Sequence, residues 1–353
     1  MILKYFTDAN SAAGYVSLQE ENLLGISTIY HLKGPEGLLI HHLLEQLSNL
    51  LSLQQLKPEF IYSTFNPDFL AGLIIRELDM AFTSGKVVVA GANLIDLTPV
   101  YEQSIIRKHQ EEIERLTFNA GQFYKKMYMH LNAALHIHDE WEKIYIDRMD
   151  FDQADRFRED LVATLFNTKI HASGKARVLR RFFGASTPVG LHDFIPELTA
   201  GLKRYLIKGR PGSGKSTLMK DVVAKAEELG YDVDVYHCSL DPKSLDMVVV
   251  PELDFCLFDA TSPHEYEPSF ASDEVVDTYS AFIRKDTDMR CADVLSEIES
   301  RYKNQIKSAL LAMGDGHDCQ LALQQFYESA LIPKEVDHLL TLMGEKVDKA
   351  IEG

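Results

Sequence analysis

Apolar and polar positions follow two rhythms along this chain, and the same succession of rhythms occurs twice. Short strand-like apolar runs come first: "EFIYSTF" and "MAFTS" in the first half, "RYLIKG", "DVDVYHC" and "FCLFD" in the second. Between them "STLMKDVVAKAEELG" places apolar residues at helical spacing. Each half then turns helical. "PVYEQSIIRKHQEEIERLTFNAGQFYKKMYMHLNAAL" and "FDQADRFREDLVATLF" close the first, "DVLSEIESRYKNQIKSALLAM" and "PKEVDHLLTLMGEKVDKAI" the second. Alternating strands and helices predict a parallel sheet with helices on its faces. The later stripes predict helix packing.

The two halves also share residues. Sliding the chain by 175 positions lays Tyr30–Ser84 on Tyr205–Asp259 without a gap, with ten identities in 55 positions. They fall at Lys33/Lys208, Gly34/Gly209, Gly37/Gly212, Pro67/Pro242 and the triplets Glu77-Leu78-Asp79 and Glu252-Leu253-Asp254, among others. The Asn66-Pro67 and Asp241-Pro242 pairs suit a helix N-cap followed by proline at the first helical position. We therefore expect an α/β fold of two tandem P-loop NTPase-like units, three-layered with a parallel sheet, each carrying a helical appendage. The expected domains are residues 1–170 and 171–353. "MILKYF" at the start and "RVLRRFF" at 177–183 read as further strands that tie the halves into one body.

The second copy carries chemistry. Gly209-Arg210-Pro211-Gly212-Ser213-Gly214-Lys215-Ser216-Thr217 satisfies G-x-x-x-x-G-K-[ST], with a strand before it and a helix after it. Such glycines let successive N–H groups turn inward around a phosphate, and the helix N-terminus adds its positive dipole end. Lys215 is expected to span the β- and γ-phosphates, and the Ser216 hydroxyl to join a Mg²⁺ shell. Asp259, after four apolar residues in "FCLFD", is the expected metal carboxylate, with Asp241 and Asp246 as alternatives. Arg177, Arg180, Arg181 and Arg210 are candidates for an arginine finger, a solvated basic face being the plainer reading. His264 either contacts the γ-phosphate or shapes a turn. In "HIHDE", His136 and His138 are two residues apart on a helix and face different ways, so no metal pincer is expected. In the first copy Leu39, Ile40 and His41 fall on Gly214, Lys215 and Ser216, and Ser84 on Asp259. That loop has lost its phosphate chemistry and kept its turn.

Composition narrows the partners. The net charge is −17, which argues against a nucleic-acid polyanion. Yet Lys175–Lys215 holds nine Lys or Arg against Asp193 and Glu197, an excess that suits a phosphate-sized anion. Apolar residues make up 46% of the chain, no apolar run reaches the roughly 18 residues of a membrane span, and the start lacks the pattern of a signal peptide. Cys238, Cys256, Cys291 and Cys319 form no C-x-x-C pair, which fits a reducing cytoplasm.

"YLIKGRPGSGKSTLMKDV", "CSLDPKSLDMVVVPELDFCLFDATSPH" and the faded upstream copy resemble a family of tandem P-loop proteins from spore-forming Gram-positive bacteria, described as predicted ATPases or nucleotide kinases. The likeness spans nearly the whole chain. The family's second stretch reads "LDGVVIPEL…DGTAPH"; here Met247 replaces its glycine and "DATSPH" its last block, with Asp259 and His264 kept. The resemblance implies nucleotide binding and names no substrate. The expected function is a Mg²⁺-dependent ATPase acting on ATP or another nucleoside triphosphate. The rivals are a small-molecule or nucleotide kinase, and a switch or scaffold with little turnover whose first half docks a protein partner or a second copy.

Overall fold

The computed structural model describes residues 3–35, 37–168 and 174–352; the expected boundary at 170, like the first two residues of "MILKYF", lies outside them. The first half contains β1 (Lys4–Tyr5), β2 (Asp8–Ser11), β3 (Gly14–Ser17), β4 (Thr28–Lys33), α1 (Leu38–Leu53), β5 (Glu59–Tyr62), β6 (Leu70–Ile75), β7 (Met80–Thr83) and β8 (Asn93–Asp96). Two long helices follow, α2 (Gln110–Ile146) and α3 (Phe151–Leu165). The second half repeats the series: β9 (Val178–Arg181), β10 (Gly184–Thr187), β11 (Gly190–Asp193), β12 (Lys203–Lys208), α4 (Lys215–Leu229), β13 (Val233–His237), β14 (Leu245–Val250), β15 (Phe255–Asp259) and β16 (Glu274–Asp277). It ends in α5 (Ala292–Ser329) and α6 (Pro333–Glu352).

Each half builds one six-stranded sheet in the same order, β1-β5-β6-β7-β4-β8 and β9-β13-β14-β15-β12-β16. The sheets are mixed rather than parallel. β6 runs antiparallel to both β5 and β7, and β14 to both β13 and β15. The cause lies at the Asn-Pro and Asp-Pro pairs, which cap turns and not helices. Asp241 accepts from Lys243 N and Ser244 Oγ, and Asn66 from Asp68 N, closing short reversals. The few residues between β13 and β14 cannot span the dozen or so that a parallel crossover needs.

Layering also departs from expectation. One face of each sheet is covered by helices. On α4, Leu218, Met219, Val222, Val223 and Ala226 form the stripe that meets the second sheet. The other faces share one continuous core with the hairpins β2–β3 and β10–β11, where Phe6, Ile74 and Ala81 meet Phe182, Phe194, Met247 and Phe258. No helix among the described residues is long and apolar enough to cross a membrane.

The long helices are exchanged. Leu165 and Phe166, at the end of α3, pack with Leu218 and Val222 of the second half. Conversely Val336, Leu339, Met343 and Val347 of α6 pack with Leu39, Leu43 and Leu47 of the first. Between them α2 and α5 lie antiparallel along Ala120, Tyr124, Met127, Ala309, Ala312 and Met313. Glu140 pairs with Arg301 near one end and Tyr124 meets Gly316 further along.

β1 and β9, the expected tying strands, each join their own sheet at its outer edge. Phe6 and Phe182 then exchange two backbone hydrogen bonds of 2.9 and 2.8 Å, joining the halves through equivalent residues. Beneath this bridge Arg181 is 1% exposed. It lies 3.1 Å from Asp234 and 3.7 Å from Glu59, with its guanidinium 4.3 Å from the Tyr5 ring centroid. Burial alone would raise Glu59, but Arg181 and then Arg76 hold it below the usual carboxylate range. Asp234, without a second arginine at hydrogen-bond distance, is raised by its burial. Arg181 is therefore a structural ion at the junction and not an arginine finger.

Arg181→Ala leaves the half-buried Asp234 without a cation at hydrogen-bond distance and the buried Glu59 with Arg76 alone. The expected cost is about 3–5 kcal/mol, read from urea unfolding midpoints. A cost of about 1 kcal/mol or less, typical of surface pairs, would contradict this role.

Candidate functional site

At the carboxyl end of β12 the chain enters the glycine loop, and α4 starts at Lys215. Gly212 (φ +72°) and Gly214 (φ +81°) adopt the left-handed backbone that turns the loop into the helix. Gly209 must lack a side chain for a different reason. A Cβ there would lie 2.2 Å from Thr278 Oγ1 and 2.4 Å from Ser213 Oγ. Those hydroxyls pair at 2.8 Å, and Thr278 also donates to the Lys208 carbonyl, so the loop is pinned to the strand that carries it. Pro211 is half-buried, and Thr217 is exposed on the first turn of α4.

Lys215 Nζ donates to the Arg210 carbonyl at 3.1 Å and to that of Gly209 at 3.4 Å, and stands 3.5 Å from Asp259 Oδ2. Asp259, ending β15, accepts through its other oxygen from the Thr261 N–H and hydroxyl. Ser216 Oγ accepts from Leu245 N at 2.9 Å, tying the helix start to β14. The lysine, the hydroxyl and the carboxylate expected from sequence thus meet at one end of the second sheet. A hydroxyl and a carboxylate are hard oxygen donors, the type Mg²⁺ takes, and the Lys215 ammonium rests on backbone carbonyls and one carboxylate.

The neighbours divide into those that face this group and those held elsewhere. Asp246, on β14, is raised to about 6 by burial and by the charge of Asp259, with His264 and Lys215 pulling the other way. His264, 8% exposed, pairs through Nδ1 with Asp193 Oδ2 at 2.9 Å, and Tyr266 donates to the other oxygen at 2.7 Å. Burial would raise Asp193, but His264 and Tyr266 hold it low. The sequence offered no sign of this aspartate, which comes from the β10–β11 hairpin, far upstream of His264.

The arginine candidates are each engaged by a partner other than Lys215, Ser216 or Asp259. Arg177 pairs with Asp232, Arg180 meets His237 Nε2 at 3.1 Å, and Arg210 pairs with Asp288 at 2.7 Å. The basic excess is answered in the same way: Lys203 pairs with Glu274, Arg204 with Asp273 and Lys208 with Glu267. Asp241 serves its turn.

The roof of the loop comes from the other half. The carbonyl of Glu142 on α2 lies where a Cβ on Gly212 would sit 2.6 Å away. His138 stands 3.8 Å from Glu142, whereas His136 pairs with Asp139 at 3.9 Å, so the two histidines do face apart. Ligand atoms of His138, Asp139 and Glu142 lie within 4.8 Å of one another, the one such cluster among the described residues. Burial lowers His138, and the charge of Glu142 opposes this. The first half's loop has not kept its turn: α1 starts at Leu38, two positions earlier in the repeat than α4, Gly37 lies at φ +142° where Gly212 lies at +72°, and Leu39 is helical where Gly214 is left-handed. Gly37 faces the Gln324 side chain of α5.

No known protein family matches the chain, and neither does any curated protein or solved structure.

Gly212→Ala would drive a methyl into the α2 backbone at a positive φ. We expect about 1–3 kcal/mol of destabilisation by thermal or urea unfolding; an unchanged midpoint would show that the roof is not in contact. Asp246 gives a pH signature. Its folded pKa of about 6 exceeds the ordinary 3.8, so its contribution to stability is complete below 3.8 and is lost as pH rises through about 6. Asp246→Asn should therefore flatten part of the fall in stability across that interval. Asp8, also raised to about 6, keeps its own share. Parallel stability–pH curves for wild type and variant would contradict the placement.

Proposed function

We propose that the second half is a Mg²⁺-dependent nucleoside-triphosphate site whose reaction is hydrolysis of the β–γ phosphoanhydride of ATP or a related nucleotide. The observation that carries the reading is the Lys215 ammonium poised over a left-handed glycine loop at a helix start, 3.5 Å from Asp259. In this reading the loop N–H groups from Gly209 to Gly214 hold the β-phosphate, and Lys215 turns from its carbonyls to the β- and γ-oxygens. Ser216 and Asp259 hold the metal. Bound Mg²⁺ would neutralise charge developing between the β- and γ-phosphates. Asp246 takes the proton from the attacking water, since a carboxyl with a pKa of about 6 is ionised yet still basic near neutral pH. Asp193 fixes the His264 ring beside it.

The same carboxylate favours one further reading. A kinase needs a base for an acceptor hydroxyl, and Asp246 fits that role equally well. The two readings differ in the acceptor.

ADP formation and phosphate release from Mg·ATP by purified protein, measured with and without a mixture of nucleosides and nucleoside monophosphates, separate them. Equal ADP and free phosphate without additive supports hydrolysis; ADP formed only with the mixture, without matching free phosphate, supports transfer. In both cases Lys215→Ala and Asp259→Asn should reduce turnover at least about 100-fold, EDTA should abolish it, and Ile40→Ala should leave it unchanged. Equal nucleotide affinity in wild type and Lys215→Ala would overturn the assignment.

A further inference from the structure

His264 is held on one side of its ring only. Its Nδ1 lies 2.9 Å from Asp193 Oδ2. The other Asp193 oxygen accepts from the Tyr266 hydroxyl at 2.7 Å and from Ile195 N at 3.3 Å. An ionised carboxylate only accepts, so Nδ1 carries the proton and the neutral ring has its lone pair on Nε2. Nε2 has no hydrogen-bond partner among the described residues. The Phe183 ring meets the imidazole edge-on at 4.8 Å between centroids, and a Cβ on Gly184 would lie 3.2 Å from its Cε1. The ring therefore has little room to turn.

The backbone hangs this ring on the turn that follows β15. Asp259 accepts from the Thr261 N–H and hydroxyl, and the Thr261 carbonyl accepts from His264 N at 2.8 Å. The same aspartate stands 3.5 Å from Lys215. Asp246 feels the charges of Asp259, His264 and Lys215 together, so it stands among all three.

The first half shows what the fold needs without this pair. It repeats the hairpin and the strand order, yet Ser17 occupies the hairpin place of Asp193. Residues 84–92, which contain no histidine, join β7 to β8 where the longer segment 260–273 joins β15 to β16. Asp193 and His264 thus belong to the half that keeps Lys215, and the architecture is built without them in the half that has Ile40.

We propose that His264 is a nucleophile that takes the γ-phosphoryl group of the bound nucleotide on Nε2, forming a phosphohistidine before water receives the group. The inference rests on the nucleotide reading of the Gly209–Thr217 loop. In the first step the Nε2 lone pair forms a bond to the γ-phosphorus, and the bond from that phosphorus to the β–γ bridging oxygen breaks. Its electron pair leaves on ADP. The Nδ1 proton stays on the ring, and Asp193 balances the positive charge the ring then carries. In the second step a water oxygen bonds to phosphorus, Asp246 takes the proton, and the P–N electron pair returns to Nε2.

Rapid mixing of the full chain with Mg·[γ-³²P]ATP, quenched in alkali, tests it. The expected label survives alkali, is lost in acid as a phosphoramidate is, and maps in wild type to the peptide that contains His264. Labelled ADP should also pass into ATP without any additive, because the first step is reversible. His264→Asn should abolish label and exchange, and Asp193→Asn should slow labelling about tenfold or more. The wild-type peptide map decides the matter if His264→Asn fails to fold. ADP formation with neither alkali-stable label nor exchange would overturn the proposal and leave the nucleotide reading standing. Label on another residue, or label retained in His264→Asn, would overturn it as well. No binding of Mg·ATP at all would overturn both.

Discussion

Neither sheet covers its helix-side face with its own helices alone. The apolar stripe of α6 meets Leu39, Leu43 and Leu47 on the first half, and the end of α3 meets Leu218 and Val222 on the second. That exchange is the constraint on which the rest of the molecule depends. Removing either helix uncovers a core belonging to the other half, so the hydrophobic driving force for each half is completed by the partner. The edge bridge at Phe6 and Phe182 and the buried Arg181 network then fix where the two halves meet. An apolar core tolerates approximate fit, whereas a buried ion shared by two carboxylates penalises displacement.

The exchange has a consequence for the site. Glu142 and His138, from the first half, form the roof of a loop encoded in the second, and Gln324 of the second half roofs the loop of the first. α2 and α5, which carry the two roofs, pack against each other. The first half supplies the cover over Gly212, and carries Ile40 where the second half has Lys215.

Much of this was legible in the sequence. The repeat was carried by ten identities, among them the Glu-Leu-Asp triplets whose aspartates, Asp79 (φ +48°) and Asp254 (φ +51°), share a left-handed backbone, and the Gly209–Thr217 pattern with its flanking strand and helix placed Lys215 and Ser216 at a helix start. Asp259 was singled out because four apolar residues precede it, and it lies 3.5 Å from Lys215. Other features were illegible for physical reasons. Asp241-Pro242 has the same chemistry at a turn as at a helix N-cap, so the antiparallel β14 was missed. An amphipathic stripe states that a helix packs but not against what, so the exchange of α3 and α6 left no trace. Arg181 reads as a basic residue on a strand; only the edge contact between sheets buries it. Asp193 and His264 are brought together by a hairpin that no spacing rule links.

The most direct measurement is an experimental structure of the full chain with Mg²⁺ and a non-hydrolysable ATP analogue. The account predicts the triphosphate within the Gly209–Thr217 loop, Lys215 turned from the Gly209 and Arg210 carbonyls to the β- and γ-oxygens, the metal on Ser216 and Asp259, and no nucleotide at Gly34–His41. Nucleotide in the first half's cleft, or an empty Gly209–Thr217 loop at saturating analogue, would contradict it.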